Sequence, residues 1–162
     1  MNLTLKTSVS AAMLIAANLA TAHPAAGNDP ETPSSGYQLA VIEDGAYGPA
    51  VVKGNIAETL PRLRLHSNTR FDSSTNLCVA LTQLGELNDA NTACVTAYQL
   101  SKQSQFSRDR AIALSNLGVV SVLRGDFISA KGYFERALKE NGQFKQAYNN
   151  LRLLEHRGAT NA

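Results

Sequence analysis

An all-α fold made of repeated helical hairpins is the architecture this sequence predicts, and three observations predict it. Asn76-Leu77, Gly85 and Ala90 recur as Asn116-Leu117, Gly125 and Ala130, each pair shifted by the same 40 positions. Apolar residues from Asp72 onward fall at i, i+3, i+4 and i+7, the spacing of one helix face. A glycine stands where each hairpin must turn, at a helix end that favours the left-handed conformation. A repeated helical unit stacks on its neighbours and presents a surface, so the pattern points to binding rather than to a pocket built for one reaction.

The N-terminal stretch reads as an export signal. Lys6 lies in a polar head, Ala11, Met13, Leu14, Ile15 and Leu19 form a short apolar run, and Ala20-Thr21-Ala22 supplies small residues for cleavage after Ala22. Residues 1–22 are therefore expected to be a signal peptide, placing the chain in the periplasm or outside the cell, with no integral membrane segment after cleavage. Residues 23–36, rich in Pro, Ala, Gly, Asn and Ser, read as a flexible leader. Of the 15 Lys and Arg, only Lys6 leaves with the signal, so the remaining charge nearly balances the 13 acidic residues. That balance argues against nucleic acid as a partner.

Residues 37–70 are read as an irregular, degenerate half-repeat. Tyr37 to Ile42 can form a short extended piece, and Gly45, Gly48 and Pro49 interrupt helix. Gly54-Asn55-Ile56 echoes the later glycine corners. A helix from about Asn55 toward Leu63 would put Ile56, Leu60 and Leu63 on one face, with Pro61 kinking it unless Pro61 lies in a first turn. Helices then follow at about 72–84, 87–101, 109–123, 127–140 and 144–157. Phe127, Ala130, Phe134, Ala137 and Leu138 form the clearest apolar stripe, and Leu87, Ala90, Cys94, Ala97 and Tyr98 are its counterpart.

Gly118, Ala130 and Ala137 remove bulk where two helices approach, while Leu117 and Phe134 fill the space beside them. With Leu114 in the usual aromatic place, this arrangement resembles the tetratricopeptide repeat (TPR) family. The resemblance implies a short α-solenoid: TPR 1 at 71–104, TPR 2 at 111–144, and a capping helix at 145–157, where Asn150-Leu151 follows Asn116-Leu117 by the family's 34 residues. The family's closing proline is Gly142 here and Lys102 in the first repeat, which also runs six residues long.

Cys78 and Cys94 are the only cysteines, and their midpoint falls on the Gly85-Glu86 corner. Residues equally far from the corner of an antiparallel hairpin lie level, so the sulfurs should face each other. In an exported chain this favours a structural disulfide over a redox pair. Closing the loop is expected to stabilise the fold by about 3 kcal/mol. Their counterparts in the second repeat are Gly118 and Phe134, a small residue meeting a large one. His23, His66 and His156 are scattered, so neither metal nor cofactor is expected.

In the family this chain resembles, the first helix of each repeat lines a concave groove, which places Asn76, Asn116 and Asn150 at corresponding points. An amide both donates and accepts, so such a ladder could hold the main chain of an extended peptide whatever its side chains. Val79, Gln83, Val119, Leu123 and Asn149 complete the candidate groove, and the three asparagines are expected to be at least partly exposed. The cationic positions that clamp a C-terminal carboxylate in some family members are Thr75, Gln146 and Asn150 here. Arg62, Arg64, His66 and Arg70, with Arg108 and Arg110, could attract an acidic partner or form a solvated face. No nucleophile elbow, phosphate loop or paired carboxylates point to catalysis. The expectation is a non-catalytic protein- or peptide-binding scaffold or adaptor, with a structural subunit that self-associates or packs in an envelope complex as the alternative.

Overall fold

The structure is a computed structural model and describes residues 36–160; the expected signal peptide, its cleavage site and the leader up to residue 35 lie outside them. The described residues are all-α: α1 (Gly48–Val52), α2 (Ile56–His66), α3 (Phe71–Gln83), α4 (Leu87–Ser101), α5 (Ser107–Leu123), α6 (Phe127–Glu140) and α7 (Lys145–Thr160). The five later helices start and end within three residues of the positions expected from periodicity. None of the described helices is long and apolar enough to cross a membrane.

Glycine corners build three hairpins in one way. Gly85 has φ 76° and Gly125 φ 79°. At the first, the Gly85 N–H donates to Thr82 O and the Glu86 N–H to Leu81 O; at the second, Gly125 donates to Val122 O and Asp126 to Ser121 O. This pair of bonds caps carbonyls that a helix end would otherwise strand, and a side chain at the left-handed residue would be strained. Gly54 (φ 76°) repeats the pattern between α1 and α2, donating to Val51 O while Asn55 donates to Ala50 O. The region read as a degenerate half-repeat thus holds a complete corner with a shortened first helix.

Pro61 lies inside α2 rather than in a first turn. It sits on the exposed face, so the Ala57 carbonyl that loses its helical donor faces water, while Ile56 and Leu63 on the opposite face are buried.

The first helices α3, α5 and α7 lie side by side, with α4 and α6 packed behind them. Ala90, Ala97, Ala130 and Ala137 are all buried at these crossings. At Gly118, a Cβ would come within 2.6 Å of Phe134 Cδ1, so the absence of a side chain is what lets Phe134 fill the hairpin. In the preceding hairpin the equivalent pair, Cys78 and Cys94, is disulfide-bonded, with Cα atoms 5.0 Å apart and both residues fully buried.

The six extra residues of the longer repeat are spread out. One lies in α4, one in the connection after it, and four in an added first turn of α5. Arg110 secures that turn, donating from Nε to Glu140 Oε2 at 2.7 Å and from Nη1 to Ser104 O at 3.1 Å.

Candidate functional site

The three asparagines form a ladder, and the peptide they hold is the chain's own residues 37–42. Asn150 Oδ1 accepts from the Gln38 N–H at 2.7 Å while its Nδ2 donates to Gln38 O at 2.9 Å. Asn116 holds Ala40 in the same way, at 2.8 and 2.9 Å. Asn76 accepts from Ile42 N at 2.9 Å and donates to both Ile42 O and Ala46 O. Each amide satisfies both main-chain groups of one residue, as a neighbouring strand would. Alternate residues are held because, in an extended chain, every second residue turns its N–H and C=O to the same side. The segment runs against the order of the helices, its first rung on α7 and its last on α3.

Side chains fill both flanks of this seam. Ala40 and Ile42 pack with Ala111, Ile112 and Phe144, whereas Leu39 and Val41 join clusters that contain Val79 and Val119. Tyr37 stacks on Phe134, with ring centroids 6.3 Å apart, and the Arg157 guanidinium lies 5.3 Å from the Tyr37 centroid. Burial raises the Tyr37 pKa, and Arg157 partly counters it.

Asp72 anchors the far end. Its Oδ2 accepts from the Ala46 N–H at 2.8 Å, and Arg70 grips both carboxylate oxygens. The Arg70 hydrogen bond, helped by the main-chain donors of Ala46 and Ser73, lowers its pKa to about 2 against the opposing effect of burial. Beyond this point the chain turns tightly: Gly45 donates to Ile42 O and Gly48 to Gly45 O, which launches α1.

This occupancy corrects the expected exposure of the groove. Asn76, Asn116 and Asn150 are 0%, 1% and 1% exposed, and Val79 and Val119 are buried with them. Gln83 and Leu123 are half-buried, and of the candidate residues only Asn149 is exposed, donating to Gln38 Oε1 at 3.4 Å. Thr75, one of the clamp positions, is fully buried. Of the basic residues, Arg64 pairs with Glu86 and Asp89, Arg70 with Asp72 and Arg110 with Glu140, so these cations serve carboxylates of the same chain.

Sequence reasoning missed the occupant, Asp72 and Tyr37. The signal was present: an uncharged six-residue piece able to extend, preceded by Gly36 and followed by Glu43, Asp44 and Gly45, and three amides at one register on alternate helices. What linked them was pairing across up to 112 positions, which local patterns do not report.

A second concavity, about 880 Å³, opens between α6 and α7 beside Tyr37, with Phe127, Ile128, Lys131, Leu154 and Glu155 on its walls. Ile128 is 90% exposed. Among the described residues no three His, Cys, Asp or Glu side chains gather as metal ligands. Comparison with protein-family models, with curated proteins and with solved structures finds no match to this chain.

Proposed function

We propose that this chain is a non-catalytic protein- or peptide-binding scaffold of the tetratricopeptide type, exported to the periplasm or cell envelope, with the face of α3, α5 and α7 as its recognition surface. One observation carries the reading: three side-chain amides on alternate helices each grip main-chain groups, so this face recognises extended polypeptide as such. The fully buried disulfide is in keeping with folding in an oxidising compartment. The test is affinity capture from the native envelope fraction with variants on two faces. Gln38→Lys with Asn149→Lys alters the exposed rim of the ladder, and Ile128→Glu alters the α6/α7 cleft. Partners lost with the first and kept with the second support the reading; the reverse pattern rejects it.

A second reading is favoured by the filled ladder and the exposed apolar Phe127 and Ile128. In it the chain is a structural subunit that packs through the α6/α7 cleft. Sedimentation decides, since a stable oligomer broken by Ile128→Glu would support this alternative.

A further inference from the structure

The segment 37–42 has one paired edge and one open edge. The main-chain groups of Gln38, Ala40 and Ile42 point toward the helices and are held by the asparagines. Those of Leu39 and Val41 must then point away, and they have no hydrogen-bond partner among the described residues. Proteins usually guard such an edge with a lysine, a proline or a bulge. Tyr-Gln-Leu-Ala-Val-Ile contains none of these.

We infer that this open edge pairs with the same edge of a second copy of the chain, the two segments running antiparallel about a twofold axis through Ala40. The inference rests on the reading of this face as the recognition surface and names its partner. Two features fit that arrangement. An axis at Ala40 sets Leu39 opposite Val41 of the second copy and Val41 opposite its Leu39, so the four orphan N–H and C=O groups of each copy exchange hydrogen bonds in register. Ala40 itself lands in the non-hydrogen-bonded pair, where facing Cα atoms come within about 4.5 Å, and it is the smallest residue of the six. Because the ladder already holds the segment straight, pairing orders little additional chain.

Sedimentation of the purified chain over a concentration series tests this with three proline variants. Leu39→Pro and Val41→Pro each delete an N–H that has no partner among the described residues, so the helical spectrum should stay near wild type and melting should fall only by the packing that the smaller side chain loses. Ala40→Pro deletes the N–H held by Asn116 and should destabilise the fold. The wild-type chain should interconvert between monomer and dimer, with either edge variant raising the dissociation constant at least tenfold. A wild-type chain that stays monomeric at every concentration overturns the inference, as does a dimer that survives both edge prolines. Should those variants fail to fold, hydrogen exchange on the wild type replaces them. The Leu39 and Val41 amides should gain protection as concentration rises, and unchanged exchange refutes the pairing. A wild-type monomer that still captures envelope partners through the Gln38 and Asn149 rim would sink this inference while leaving the scaffold reading intact.

Discussion

Replacing Asn116 with alanine should measure what the ladder contributes to stability. Asn116 is 1% exposed and Ala40 is 4% exposed, so the Ala40 N–H and C=O would lose their partners at a site water reaches poorly. An unsatisfied buried main-chain group costs about 1–3 kcal/mol, so two cost about 2–4 kcal/mol after local relaxation. For a domain of this size that lowers the melting temperature by roughly 8–16 °C. Asn150→Ala is the internal control: Gln38 is exposed, water can replace the amide, and the loss should stay below about 1 kcal/mol. Asn116→Asp adds a sign test. A carboxylate there would face Ala40 O, so the folded state raises its pKa above the unfolded value. Relative to wild type, the variant should be most stable at low pH and should lose stability as pH rises through that raised pKa. Chemical denaturation supplies the energies and hydrogen exchange at the Ala40 amide supplies the site. If Asn116→Ala costs no more than Asn150→Ala, and the Ala40 amide keeps its protection, the asparagines do not hold the segment.

Three further perturbations probe the parts that support the ladder. Gly118→Ala places a methyl group against buried Phe134; overpacking of about 1–3 kcal/mol should outweigh the helix-propensity gain of roughly 1 kcal/mol, and adding Phe134→Leu should recover part of the loss in thermal melts. Changing both Cys78 and Cys94 to alanine should cost about 3 kcal/mol in denaturant titrations, and the native wild-type chain should show no reactive thiol on mass spectrometry after alkylation. Asp72 has a depressed folded pKa of about 2, so its contribution is complete above the unfolded carboxylate pKa and disappears as pH falls through about 2. With its side chain 17% exposed and solvent screening allowed for, that contribution is about 1–2 kcal/mol. Asp72→Asn should therefore remove part of the acid sensitivity below pH about 4, and an unchanged acid-denaturation curve would contradict the anchoring role.

The hairpins were legible because everything that makes them is local. Gly85 and Gly125 mark corners, the apolar spacing of α4 and α6 marks a buried stripe, and the level placement of Cys78 and Cys94 follows from the corner between them. The site was half legible. The asparagines stand out as a register shared by three helices, but their burial does not follow from that register, because it depends on a segment 34 to 112 positions away. Burial around α3 and α5 has the same origin. Ser73 to Thr82 and Ala111 to Val122 are buried on every side, so polar residues such as Thr75 and Ser115 stand at fully buried positions where amphipathic logic would leave an open face. Pro61 shows the reverse failure: the local rule forbids it, and an exposed helix face tolerates it.

The segment also changes what kind of object the row of hairpins is. In a simple stack each unit touches only its neighbours, so one end can fray without disturbing the other. Here a single extended piece is bonded in turn to α7, α5 and α3, and it continues through the turn at Ala46 onto Asp72. Loosening α7 releases Gln38 and with it the stacking of Tyr37 on Phe134, which lies on α6. Loosening α3 releases Ile42 and Ala46 together. The ladder therefore ties the helices along their first-helix face much as the glycine corners tie them in pairs, and it couples ends of the row that share no direct helix contact. An amide suits this role because it takes hold of the main chain at each crossing and leaves the side chains of 37–42 free to fill the seams on either flank.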